Sequence, residues 1–178
     1  ETKKELIDKV LCQALWGDSS ATWESQPAIN KAGGLLCIWN EESFKVEKRL
    51  KGRGFIYLEG LWVPDNKKIT IVNIYSPCDV SLKRAFWEEF KLLRMANMGG
   101  LWCTIGDFNN IRRDSERLGT TQSNQEGGNI KEFNDWIKEL EVEEAPRIGR
   151  KFTWYRPNGT AKSRLDRALV FAEWLTSW

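Results

Sequence analysis

The sequence contains no histidine. That removes the side chain that most often acts as general acid or base near neutral pH, and the commonest transition-metal ligand. Any hydrolysis must therefore run on carboxylates and a hard cation, or not at all. There is no apolar run of membrane-spanning length and no signal-peptide pattern. Cysteine is sparse, and the four present, Cys12, Cys37, Cys78 and Cys103, include no pair at the short spacing of a zinc site. Cys37 and Cys103 lie in apolar runs and read as small core residues. An intracellular, reducing setting is expected. An excess of one charge is also missing: 27 basic and 25 acidic residues leave a net charge of +2. Such a balance gives little global steering toward a polyanion, so a nucleic acid would have to meet cations clustered locally. Arg147, Arg150, Lys151, Arg156, Lys162, Arg164 and Arg167 crowd one stretch. It reads equally as a phosphate-facing rim or as a charge-rich loop. The first residue is Glu1 rather than methionine, which suggests a fragment or a processed product.

What is present suits one domain. The length is 178 residues, and 41% of them are hydrophobic, enough for a full core. The ten tryptophans are expected mostly in that core rather than on a stacking surface. Thr2 and Glu5 form a capping-box pattern ahead of Leu6, Val10, Leu11 and Ala14 at helical spacing, ending near Gly17. Residues 18–31 look polar and irregular. Apolar strands are expected over 35–39, 44–47, 54–63 and 68–75, with short connections that favour antiparallel hairpins. Ser81 caps a predicted helix through about Asn97, with Phe86, Phe90 and Leu93 inward. A strand over 101–105, a polar loop over 112–128 and an amphipathic helix over 129–141 follow. Residues 152–155 and 164–170 are the last strands, with a short helix from Ala172. Mixed, mainly antiparallel sheets with helices outside are expected, an α+β arrangement.

The strongest chemical signal is Gly106-Asp107-Phe108-Asn109, where an apolar strand ends on a residue that permits a tight turn. Alternation puts Asp107 and Asn109 on one side. A carboxylate and an amide there can hold a nucleophilic water and a phosphate oxygen; the same residues equally suit an Asx-turn that caps the strand. Val72-Asn73-Ile74-Tyr75-Ser76-Pro77 is another strand ending in a polar aromatic. Ser163-Arg164-Leu165-Asp166-Arg167 sets an aspartate among cations. Glu1-Thr2-Lys3 stands before a helix. Several segments thus deliver a polar group at an element end, as assembled active sites require.

In order, Glu1-Thr2-Lys3, Gly33-Gly34-Leu35-Leu36, Asn73-Ile74-Tyr75-Ser76-Pro77, Gly106-Asp107-Phe108-Asn109 and Ser163-Arg164-Leu165-Asp166-Arg167 resemble the motifs of the endonuclease/exonuclease/phosphatase superfamily. The segments Asp107-Phe108-Asn109-Asn110-Ile111-Arg112, Glu116-Arg117 and Gly149-Arg150-Lys151-Phe152-Thr153-Trp154 look like the endonuclease domain of plant LINE-type (non-LTR) retrotransposons. The resemblance covers nearly the whole chain. It implies a four-layer α/β-sandwich, two packed, mainly antiparallel sheets flanked by helices. It implies Mg²⁺, or Mn²⁺ in its place, bound by Glu1. Asp107 would activate the attacking water and Asn109 would position it or the phosphate. Tyr75 would lie near the scissile phosphate or leaving oxygen, and Asp166 would orient a histidine. Lys3, Trp154 and Arg164 would contact substrate. The residue-level alternatives are a solvated helix start for Lys3, a strand-end aromatic for Tyr75, a core position for Trp154, and a salt bridge to Arg164 or Arg167 for Asp166. The implied reaction is in-line attack of water on phosphorus, leaving a nick with a 3′-hydroxyl. DNA is the implied partner, reverse transcriptase the implied neighbour in a longer polyprotein, a monomer the implied state, and the nucleus the destination of an active element.

The resemblance has gaps. Superfamily members carry a first strand with an asparagine, expected before Glu1, and a late Asp-His strand, expected after Trp178. Residues 1–178 therefore read as a single domain truncated at both ends and inactive as it stands. Cys78 occupies a place where apurinic enzymes commonly have asparagine, which argues against abasic-site repair. The other readings are a phosphatase or phosphodiesterase on the same scaffold, and a degenerate relic that only binds nucleic acid.

Overall fold

The structure, a computed structural model, describes residues 2–28, 33–119 and 124–177. The first helix, α1 (Lys9–Trp16), starts later than the capping-box pattern suggests. Asp8 is its N-cap, accepting from the Leu11 N–H at 2.8 Å, because Thr2 is drawn into a β-bridge with Gly34. Leu6 and Val10 are consequently exposed and only Cys12 of α1 is buried. Residues expected to be irregular contain β1 (Ala21–Gln26), paired antiparallel with β2 (Leu35–Asn40). Polar Thr22, Glu24 and Ser25 hid this strand, whose only strand partner among the described residues is β2.

The hairpins are as the sequence predicts. β3 (Phe44–Gly52) pairs antiparallel with β4 (Phe55–Trp62), and β4 with β5 (Lys67–Tyr75). The β4–β5 turn passes Pro64 and closes on Asn66 in the left-handed region, φ 52°. Next comes α2 (Val80–Ala96), capped by the Asp79 carboxylate rather than by Ser81. It crosses over to β6 (Leu101–Asp107), which pairs parallel with β5. The expected loop over 112–128 instead holds a 3₁₀ turn at Asp114–Glu116, the short strand β7 (Arg117–Leu118) and the start of α3 (Asn124–Glu139). The remaining elements are β8 (Glu143–Glu144), β9 (Trp154–Tyr155), β10 (Lys162–Ser163), β11 (Asp166–Val170) and α4 (Ala172–Thr176).

The main sheet runs β3-β4-β5-β6-β11-β8, antiparallel except for β5–β6. One face is buried under α2 and α3. There Trp87, Phe90, Trp102, Phe108, Phe133 and Trp136 pack with ring centroids 5.5–6.3 Å apart. These stacked and edge-on contacts contribute beyond the area they bury. The other face packs Ile56, Leu58 and Ile69 against Leu35 and Trp39 of β2. α1 lies against β1 and β2. The order helices, large sheet, small sheet, helix is the four-layer α/β-sandwich expected. A third small sheet, β7-β10-β9, stands beside it. Cys103 is buried and Cys37 half-buried, and burial pushes both thiols up to about 11. The described cysteines are all free thiols. Among the described residues no helix is long and apolar enough to cross a membrane.

Candidate active site at one end of the main sheet

β5, β6 and β11 lie side by side, and their register aligns three of the sequence-predicted residues. Tyr75 of β5 is the partner of Asp107 of β6, and Asp107 is the partner of Asp166 of β11. Residues that partner one another across strands point to the same face, so the three form a row at one end of the sheet. Phe108 donates its N–H to Leu165 O at 3.0 Å. Asp107 and Asp166 therefore form the adjoining non-hydrogen-bonded pair, the closer of the two cross-strand geometries.

Two glycines make room for the row. Gly106 has φ 140°, and a Cβ there would sit 2.1 Å from Ile74 O. Only glycine lets β6 approach β5 so closely one residue before Asp107. Gly33 brings backbone to within about van der Waals reach of Tyr75: a Cβ on it would be 3.1 Å from the ring.

Beyond Asp107 the chain turns sharply. Asp107 Oδ1 accepts from the Asn109 N–H at 2.7 Å, and Asn109 has φ 47°. This is the Asx-turn that the residues alone allowed as an alternative, and it coexists with the site row. The Asn109 amide donates to Ser76 O at 2.7 Å, tying the end of β6 to that of β5. Lys83 reaches up from α2 and donates to Asn109 O at 2.8 Å and to Asn110 Oδ1 at 2.7 Å. Burial lowers the pKa of this ammonium. Sequence reasoning missed Lys83; its signal was a lysine on the buried face of an amphipathic helix.

On the other side of the row, Thr153 Oγ1 accepts from the N–H groups of Leu165 and Asp166 at 3.0 and 3.1 Å. Asp166 is exposed. Among the described residues it forms no ion pair, so the alternative of a salt bridge to Arg164 or Arg167 is not realised. Those arginines face Glu116 and Glu144 instead. Arg167 has a fully buried side chain and bonds Glu116 Oε2 at 2.5 Å and Glu144 Oε1 at 3.0 Å. Arg112 reaches Glu144 at 3.2 Å. Arg164, expected to contact substrate, is half-buried and paired with Glu144 and, at 3.7 Å, with Glu116. Burial raises the Glu116 pKa, but Arg167, the Arg112 N–H and Arg164 outweigh it and hold the carboxyl below its usual range.

The other predicted residues are dispersed or outside view. Trp154 is 41% exposed on β9, so the core position that its type favoured does not hold; the small sheet holds it at the surface. Trp39, Trp87, Trp102 and Trp136 are buried as expected, whereas Trp16 is exposed. Lys3 is exposed. Glu1, the expected metal ligand, lies outside the described residues. Asp107, Asn109 and Asp166 offer the oxygen donors that a hard divalent cation prefers. The described residues include no group of three His, Cys, Asp or Glu placed to hold a metal. The set therefore fits such an ion only with a further oxygen ligand.

No protein-family model matches the chain, and no curated protein matches it in sequence. Solved structures do match. The endonuclease domain of TRAS1, a telomere-specific non-LTR retrotransposon, superposes with a TM-score of 0.62 at 15% identity, over 88% of this chain and 69% of that one. An AP endonuclease of Leishmania major gives 0.65 at 15% identity, over 96% and 68%. A mannosyl-6-phosphatase of Bacteroides thetaiotaomicron gives 0.57 at 11% identity, over 92% and 67%. At these identities the likeness is one of fold, and nucleases and a phosphatase share it. The chain has the endonuclease/exonuclease/phosphatase-type fold.

Proposed function

We propose that this domain hydrolyses phosphodiester bonds in DNA, as the nicking endonuclease of a retroelement of the plant LINE type. The observation that carries the reading is the row Tyr75–Asp107–Asp166 across β5, β6 and β11, with Asn109 turned beside it. Asp107 is placed to orient a water for in-line attack on phosphorus, and its Asx-turn holds the carboxylate in one rotamer for that task. The Asn109 side chain, tied to Ser76 O, would position that water or the phosphate. Tyr75 stands next to the scissile phosphate and can hydrogen-bond a charged oxygen. A Mg²⁺ or Mn²⁺ ion held by Glu1 with these oxygens would supply charge stabilisation at the phosphate.

Fold alone does not choose among nuclease, phosphatase and relic. The DNA reading is supported by the segments after Asp107 and before Trp154, and by the likeness in fold to a non-LTR retrotransposon endonuclease. In this reading the domain acts as a monomer, belongs to a polyprotein with reverse transcriptase, and works in the nucleus. Residues 1–178 contain no histidine, so within them Asp166 has no imidazole to orient, and turnover by these 178 residues alone is expected to be very low. The test is nicking of supercoiled plasmid with Mg²⁺ by the chain, by a form extended at both ends, and by Asp107→Ala in each. Nicking by the extended form that disappears with Asp107→Ala supports the proposal. Nicking that survives Asp107→Ala refutes the site. A folded extended form that never nicks leaves a phosphatase or a relic.

A further inference from the structure

Segment 112–116, which follows the Asn109 turn, faces segment 143–151 across an open cavity of about 610 Å³. Five cations line it: Arg112, Arg113, Arg147, Lys151 and Arg164. Of the lining carboxylates, Glu116 and Glu144 are already matched by Arg112, Arg164 and the buried Arg167. Arg113, Arg147 and Lys151 are exposed and form no ion pair among the described residues. Only Glu143 opposes them. The cavity wall thus holds an ion-paired cluster of three arginines and two glutamates, beside three exposed cations without an ion pair among the described residues, Lys151 lying over the Phe152 ring.

This cavity shares a wall with a second opening that reaches Asp166 of the candidate active site. The second opening, about 400 Å³, is lined by Gly106, Thr153 and Asp166 together with Arg147, Arg164 and Arg167. The two share Glu144, Ala145, Pro146, Arg147 and Arg164. The shared wall is anchored to the sheet, since the Ala145 N–H donates to Ala168 O at 2.9 Å. Guanidinium groups present planar forks matched to phosphate oxygens. A linear polyanion with one group at Asp107 and Asp166 would pass Arg147 and meet Arg113 and Lys151.

We propose that this cavity binds backbone phosphates of the nucleic-acid strand flanking the scissile position. The proposal rests on the DNA reading above and assigns it a track: binding through Arg113, Arg147 and Lys151, cleavage at Asp107. It needs neither a metal nor turnover, so it can be measured on the chain as it exists.

The experiment is fluorescence anisotropy of a labelled DNA duplex and a labelled single strand over a salt series. The unsubstituted chain is compared with Arg113→Gln, Arg147→Gln and Lys151→Gln, singly and combined. Lys138→Gln, an exposed position on α3, is the charge-matched control. Each lost phosphate contact lowers the slope of log affinity on log salt by about 0.9 on duplex DNA and about 0.7 on a single strand. The triple variant is expected to lose about 2.7 or about 2.1, and Lys138→Gln nothing. The substituted side chains are exposed, and an unchanged melting temperature shows that each variant is folded. DNA binding with an unaltered slope in the triple variant overturns the track and leaves the nuclease reading standing. Equal competition by polyglutamate would make the cavity an acidic-peptide site and also overturns it. Failure of the unsubstituted chain to bind DNA at low salt overturns the track, while plasmid nicking by the extended form tests the nuclease reading separately.

Discussion

Replacing Asp166 by asparagine removes one of two like charges that face each other across β6 and β11. In a non-hydrogen-bonded antiparallel pair the Cβ atoms stand about 4.5–5.5 Å apart. At ~5 Å two unit charges repel by about 0.8 kcal/mol in water, and by about 3 kcal/mol at an effective dielectric of ~20. Asp166 is exposed, so the aqueous figure governs, and it agrees with the ~0.2–1 kcal/mol range of cross-strand pairs. Asp166→Asn should therefore raise the unfolding free energy by about 0.5–1 kcal/mol in chelator-treated buffer. Its amide keeps the shape of the carboxylate, and the backbone N–H that donates to Thr153 is untouched. Urea melts read the change as a shift in midpoint at constant slope. Added monovalent salt should narrow the gap by screening. Mg²⁺ should stabilise the natural chain more than the variant, because only the former offers two carboxylates. A variant less stable than the natural chain, or a gap indifferent to salt, would mean that the two charges do not face each other, and the row would lose its geometric basis.

Gly106→Ala should cost on the order of 3 kcal/mol, since its Cβ would collide with Ile74 O and its φ suits no L side chain; a chemical melt checks this. Trp136→Ala, at the centre of the aromatic stack, should cost about 3–5 kcal/mol, and a loss under ~1 kcal/mol would show the stack to be loosely packed. Stability should also depend on Glu116 in acid. Its folded pKa is depressed, so its contribution is complete above the unfolded value and vanishes as pH falls through the lower folded value. Glu116→Gln should flatten the acid limb of a stability–pH profile, and an unchanged limb would place acid sensitivity elsewhere.

The hairpins β3–β4–β5 and the aromatic face of α2 were legible because buried antiparallel strands and amphipathic helices impose periods that side-chain type reveals, whereas the parallel pairing of β6 with β5 was not foreseen. The ends of strands bearing Tyr75, Asp107 and Asp166 were legible for the same reason. Their alignment as neighbours was not, because register between β6 and β11 is set by pairing of segments far apart in sequence. β1 escaped notice since its side chains are polar and half-buried. Glu116 fell in an expected polar loop, and Arg167 read as a surface cation or a partner of Asp166. Nothing local distinguishes a solvated arginine from one whose side chain is fully buried between two glutamates. Asp8 and Asp79 replaced Thr2 and Ser81 as caps because tertiary pairing and the preceding turn fixed where each helix begins.

The strand order of the main sheet has a consequence for how the molecule is made. β11 follows every other described strand in sequence, yet it sits between β6 and β8. Asp107 meets Asp166 only when that late strand has inserted, and among the described residues β8 has no sheet partner until then. Contacts of such long sequence separation form slowly, because loop closure precedes the gain from pairing. A chain still emerging from the ribosome would carry its hairpins and the Asp107 turn but no assembled row. Amide hydrogen-exchange pulse labelling during refolding should therefore protect β4 and β5 before β8 and β11.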